Sequence, residues 1–145
     1  MDHYTLMCSK LEPLQIKASL NPGNWWYHPH YGNGLAIQYW PCLHCDYEVE
    51  KAFWFDGYGI KLLEDLQSPM IWRPTEGQLM GMISVYPYVV KNSPWKSSYP
   101  VVVTIWKGKK EEKKFFGNNC HTALIQALAW SKWGKEWNKE KGEWK

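Results

Sequence analysis

The chain has 145 residues, 45% of them hydrophobic and 21% charged, with a formal net charge of +3. That fits one domain with its own core, argues against disorder, and makes disulfides or a metal unnecessary for folding. No stretch approaches the roughly 18 apolar residues of a membrane span. Met1-Asp2-His3-Tyr4 lacks the basic-then-apolar order of a secretory signal, so no membrane partner and a cytoplasmic location are expected. The four cysteines, Cys8, Cys42, Cys45 and Cys120, do not read as a disulfide scaffold in a chain of this size, and reduced thiols are expected. Eleven Trp and nine Tyr are more rings than one core needs, so some are expected on surfaces that touch a ligand or partner. Residues 1–105 carry seven basic and nine acidic side chains, while residues 106–145 carry ten and five. The basic end suits an anionic partner, and a solvated, salt-laced surface gives the same count.

Residues 1–20 place Leu6, Met7, Leu11, Leu14 and Ile16 toward a core, but Pro13 interrupts any single helix. Residues 21–34, NPGNWWYHPHYGNG, are rich in turn formers and read as an aromatic-bearing loop. Leu35 to Trp40 is a strand. From Tyr47 to Phe55 apolar and polar residues alternate, which predicts a half-buried strand. Ile60, Leu62, Leu63 and Leu66 follow at helical spacing, closed by Ser68-Pro69. Residues 70–77 read as a turn-rich connection. Leu79 to Val90 reads as a strand, with Pro87 marking an edge or bulge. Val101 to Trp106 is strongly β-prone. Gly108 to Glu112 is a charged turn and Lys113 to Phe116 a return strand.

The last element is the clearest. Asn118 and Asn119 can cap a helix start, HTALIQALAWSKW is apolar over most of its circumference, and Gly134 suits a left-handed end. Residues 135–145 extend this helix or fray. The order predicts an α+β fold: an antiparallel sheet with two helices packed on it, a two-layer sandwich. It forms a single domain over residues 1–145, with a charged Lys/Glu/Trp tail at 135–145.

The run FFGNNCHTALIQALAWSKWG resembles the C-terminal end of the phage ABA sandwich proteins and related small phage accessory proteins. Those have a sheet strand, a short Gly/Asn/Thr turn, then an Ala/Leu-rich helix ending near Ser-Lys-x-Gly. Here the turn is Gly117-Asn118-Asn119, Thr122 lies at the helix start, and the ending is Ser131-Lys132-Trp133-Gly134. The resemblance implies a phage origin and a small anti-defence accessory role in the host cytoplasm. Such a protein binds a host protein or sequesters a nucleotide signal of host immunity, and no catalytic residues carry over.

Cys42-Leu43-His44-Cys45 spaces two thiolates to grip one face of a tetrahedral zinc. Closing that site takes His28 and His30, or Cys120 and His121; otherwise the cysteines are small residues at a strand end. His28 and His30 sit among Trp25, Trp26, Tyr27 and Tyr31. Rings and imidazoles on one loop can stack on a base and bond a phosphate, or the tryptophans simply pin the loop to the domain. Trp95, Lys96, Trp106 and Lys107 interleave rings with charge, as a nucleotide or nucleic-acid strand requires, although Glu111 and Glu112 dilute that charge. Trp130, Trp133 and Trp137 form one stripe if the helix passes Gly134. Such a stripe is core or the seam of a homo-oligomer. Paired carboxylates are scarce, Glu48 and Glu50 and Glu64 and Asp65 reading as solvated, and no Ser or Cys nucleophile has a recognisable signature, so the expectation is a non-enzymatic binding protein. Its ligand site is drawn from Trp25, Trp26, His28, His30, Trp95, Lys96 and Lys107. Its partner is an anionic small molecule such as a nucleotide, or alternatively a host defence enzyme that it inhibits. A zinc module or metal-dependent enzyme built on Cys42 and Cys45 is the competing class.

Overall fold

The structure is a computed structural model that describes residues 1–18, 23–39, 51–55, 57, 59–62, 70–83, 86, 88–92 and 100–145. Two short helices open the chain, α1 (His3–Lys10) and α2 (Glu12–Ile16). Pro13 divides them as its missing amide demands, and it is tolerated because it falls in the first turn of α2.

Five strands then form one antiparallel sheet in the order β4-β3-β2-β1-β5: β1 (Trp25–His28), β2 (Gly32–Tyr39), β3 (Lys51–Phe55), β4 (Ile60–Leu62) and β5 (Ile71–Arg73). Three sequence expectations are corrected here. Trp25 to His28 is a strand, not part of a loop. Its aromatic residues favour pleated backbone, and Gly32, at φ 75°, closes a tight turn that brings His28 opposite Gly32. Ile60 to Leu62 is an edge strand against β3 rather than the start of a helix; the rest of that segment, residues 63–69, lies outside the described residues. Ile71 to Arg73 is a strand against β1 rather than a connection. In each case pairing across the sheet overrides the local pattern.

The next helix, α3 (Glu76–Met82), is the fourth correction, because a strand was expected from Leu79. Thr75 accepts a hydrogen bond from the Gln78 amide at 3.3 Å, while the Gln78 side chain accepts one from the Thr75 amide at 2.8 Å. This reciprocal capping box holds the first turn. Leu79 and Ile83, one turn apart, are both buried.

A second sheet has the order β6-β7-β8, with β6 (Tyr88–Asn92), β7 (Val101–Lys107) and β8 (Lys110–Gly117). Val101, Val103, Ile105 and Phe115 turn to one buried face. That face receives α4 (Cys120–Trp133), which also packs on α1 and α3. Coverage on three sides explains why this helix is apolar almost all round. Leu124, Ile125 and Leu128 are fully buried, at roughly 1.5–3 kcal/mol each. Packing therefore outweighs the cap, worth about 1 kcal/mol, although the cap fixes where the helix starts. Asn119 accepts from the Thr122 amide at 2.9 Å. At the other end Gly134 adopts φ 65°, and the Lys135 amide reaches the Ala129 carbonyl at 3.1 Å.

Gly134 ends the helix, so the tail does not extend it. Instead β9 (Trp137–Asn138) and β10 (Glu143–Trp144) form a small hairpin. The Trp144 indole donates to the Met7 carbonyl at 2.9 Å, and the Trp137 ring meets His3 at 5.8 Å. The stripe expected through Trp130, Trp133 and Trp137 is therefore broken at Gly134. The fold is α+β with antiparallel sheets, as expected, but the described residues hold four helices rather than two.

Candidate functional site

Among the described residues, the sequence-predicted Trp25, Trp26, His28 and His30 do not open onto one place. Trp25 and Trp26 are neighbours on a strand and so face opposite ways. Trp26 is 6% exposed and belongs to the core, whereas Trp25 is 43% exposed. His28 is buried, 2% exposed, and its Nδ1 accepts a hydrogen bond from the His30 amide at 3.1 Å. This bond fixes the turn between β1 and β2. His30 itself is exposed. The histidine pair thus builds the turn, and its inner member is shielded from solvent. Lys107 is the last residue of β7. Cys42, Cys45, Trp95 and Lys96 lie outside the described residues, and so does the zinc reading that rests on the first two. Among the described residues no group of three His, Cys, Asp or Glu side chains is placed to hold a metal ion.

The structure instead draws attention to Arg73, the chain's single arginine. It sits on edge strand β5 directly opposite Trp25, so guanidinium and exposed indole share one sheet face. Two cavities adjoin here. One, of about 200 Å³, is bounded by Tyr4, Trp25, Arg73, Thr75 and His121. The other, of about 290 Å³, lies among Asp2, His3, Arg73, Asn119, His121 and Thr122. Tyr4, Arg73 and His121 belong to both.

Each of the three is held in place. Arg73 Nη2 lies 3.1 Å from Asp2 Oδ2, Nη1 donates to Asn33 Oδ1, and the guanidinium stands 5.6 Å over the Tyr4 ring. The buried Nε has no acceptor. Tyr4 donates its hydroxyl to the Pro74 carbonyl at 2.6 Å, and burial pushes its phenol far above the ordinary range, so it stays protonated. The His121 ring packs 4.9 Å from Tyr4, and its Nδ1 lies 3.4 Å from Glu76 Oε1. Burial and the Arg73 charge lower the His121 pKa against the opposing pull of Glu76. The imidazole is therefore biased toward its neutral form. For Asp2, burial works toward protonation, but the Thr5 amide bond at 2.7 Å and Arg73 outweigh it, and the pKa is lowered.

Two helices begin at this cleft. Asp2 caps α1 and Asn119 caps α4. The first amides of a helix have no intrahelical acceptor, and at the α4 start those belong to Cys120 and to His121, which lines both cavities with Arg73. Helix starts also carry partial positive charge. Against this stand the carboxylates of Asp2 and Glu76, so the cleft is close to charge balance rather than strongly basic.

An activated nucleophile is lacking among the described residues. Cys8 is fully buried and its thiol is pushed up to about 12 by burial. Cys120 is also raised, by burial and by the Glu76 charge. The Thr122 hydroxyl is consumed by the α4 cap. His121 held by Glu76 has the form of a base with its orienting acid, but among the described residues no nucleophile stands beside it to be activated. What remains is a set of binding groups: a planar cation, an open ring, free amides and a neutral imidazole.

Sequence reasoning missed Asp2, Tyr4 and Arg73, and named His121 only as a zinc ligand. Two signals pointed there. Arg73 is unique in a lysine-rich chain, and Thr75-x-x-Gln78 is a capping box that marks a helix start immediately after it. Compared with protein-family models, with curated proteins and with solved structures, the chain matches none.

Proposed function

We propose that this chain is a non-enzymatic binding protein whose ligand is a small anion with an aromatic or planar part, nucleotide-like in character, held in the Arg73 cleft. The observation that carries this reading is the placement of the single arginine between an exposed indole and the start of the longest described helix, where two cavities meet. Stacking on an indole contributes about 1–3 kcal/mol, and a hydrogen bond to a charged group about 1.5–3 kcal/mol. Neither alone approaches the roughly 8 kcal/mol of micromolar binding. A ligand must therefore engage the ring, the guanidinium and the amides of Cys120 and His121 together. The resemblance of the C-terminal strand and helix to phage accessory proteins adds the biological reading: sequestration of a nucleotide signal of host immunity.

The test is direct. Protein purified from its producing cells is denatured and the released small molecules are identified by mass spectrometry, alongside thermal shifts across a panel of linear and cyclic nucleotides. An anionic, ring-bearing ligand whose stabilisation disappears in Arg73→Gln is the expected result. No released ligand and no shift across the panel would overturn the proposal.

A second reading, inhibition of a host protein, is favoured by a different feature. Trp25, Leu35 and Phe55 lie opposite one another on three adjacent strands. Trp25 is 43% and Phe55 42% exposed, so an apolar row crosses the sheet in the manner of interface anchors. Capture of a host protein that is lost in Phe55→Ser, with no small-molecule shift, would select this reading over the first.

A further inference from the structure

We infer that Asp2 is an internal stand-in for the ligand's anionic group, so that the cleft admits a phosphoryl group and turns away a simple carboxylate. The inference rests on the cleft reading above and extends it to the charge class of the ligand. The two carboxylate oxygens of Asp2 have separate tasks. Oδ1 accepts from the Thr5 amide at 2.7 Å and caps α1, while Oδ2 lies 3.1 Å from Arg73 Nη2. Only the second contact occupies the guanidinium, so an incoming anion can replace it without uncapping the helix. The exposures set the direction of exchange. The Asp2 side chain is 50% exposed and that of Arg73 only 20%, so it is the acid that turns out to water while the arginine stays.

A ligand carboxylate that displaces Asp2 swaps one negative charge for another and gains nothing at Arg73. It also meets Glu76, whose Oε1 stands 3.4 Å from His121 at the rim of the same cleft. A phosphoryl group brings about −1.5 to −2 charge at neutral pH and three acceptor oxygens. With Asp2 displaced it takes the Arg73 Nη2 position, Nη1 staying with Asn33 Oδ1, and it has oxygens left for the amides at the α4 start. Glu76 opposes every anion, so the threshold set by Asp2 is cleared through the additional oxygens that a phosphoryl group brings and a carboxylate lacks.

The experiment measures binding of inorganic phosphate, acetate and a nucleoside monophosphate to the full chain by calorimetry, with melting temperatures recorded for every variant. The wild type is expected to take phosphate in preference to acetate. Asp2→Asn keeps a capping side chain and removes the competing charge. It is expected to melt within about 2–4 °C below the wild type, the loss of one half-exposed ion pair, to bind phosphate about two- to fivefold more tightly for the same reason, and to bring acetate binding closer to that of phosphate. Arg73→Gln is expected to abolish both, and Arg73→Lys, which keeps the charge but not the fork, to retain weak phosphate binding. If Asp2→Asn binds phosphate no better than wild type while Arg73→Gln still fails, the stand-in role is wrong and the cleft reading survives. If Arg73→Gln binds as wild type does, or no form binds phosphate, both fall. A nucleoside monophosphate that binds more tightly than phosphate, with the margin lost in Trp25→Ala, supports a nucleotide as the source of the phosphoryl group; equal affinities support the free oxyanion.

Discussion

The first sheet and the C-terminal third use their aromatic residues in opposite ways. Around α4 the rings close the structure: Phe115 is buried under Trp130, Trp137 packs on Trp144, and the Trp144 indole ties the tail to α1. Phe116 is the exception, 39% exposed. On the first sheet the rings divide by strand parity. Trp26 and Trp72, paired across β1 and β5, enter the core at 6% and 7% exposure, while Trp25 and Phe55 stay open at 43% and 42%. A count of rings therefore says little about binding. Parity along a strand decides which ring supports the fold and which is free for a partner.

The largest expected effect sharpens that contrast within two adjacent residues. Trp26→Ala should cost about 3–5 kcal/mol by chemical denaturation, whereas Trp25→Ala should stay within about 1 kcal/mol and act on ligand binding instead. Similar losses at both sites would refute the division by parity. Gly117→Ala probes the other region. An added Cβ would meet Thr122 Oγ1 and come within 2.5 Å of the Ala123 nitrogen, so the cap and strand cannot both keep their places. A loss of about 1–3 kcal/mol is expected. Next, Trp144→Phe removes the donor to the Met7 carbonyl and should cost about 1 kcal/mol, with faster amide exchange in α1 as the specific sign. Gly81→Ala runs the other way. Nothing lies within 4 Å of the added methyl, and the helix should gain about 0.5–1 kcal/mol.

The smallest effect is a matter of sign. His121 has a folded pKa below its ordinary 6.5, so the unfolded chain takes the proton first on acidification. Its contribution is complete above about pH 6.5 and declines as the pH falls toward the folded value. Melting curves of wild type and His121→Gln should converge below that pH relative to their separation at pH 7.5.

The same contrast explains what was legible. From Val101 to Gly134 the code is local: a β-branched run, Asn119 as a cap, an Ala/Leu stretch and a terminal glycine all agree, and strand, turn and helix follow. In the first sheet local and long-range preferences compete. Ile60, Leu62, Leu63 and Leu66 satisfy helical spacing, yet β3 offers Ile60 and Leu62 a strand partner. The apolar residues from Leu79 to Val90 favour a strand, but the Thr75-x-x-Gln78 capping box ahead of them starts a helix instead. The cleft was the least legible part, because its members come from residues 2–4, 25, 73–75 and 118–122. No spacing rule links them; only the docking of α1 against β5 and α4 does.

The C-terminal hairpin gives that docking a vulnerable point. Its tip presents Lys139 and Lys141, both exposed, between the two strands that carry Trp137 and Trp144. A trypsin-like protease has two cleavable bonds there, and a cut leaves the last strand attached through its indole bond and a few backbone contacts. Since Trp137 rests on His3 and Trp144 on Met7, the nick would be felt at the opposite end of the chain, where Asp2 meets Arg73.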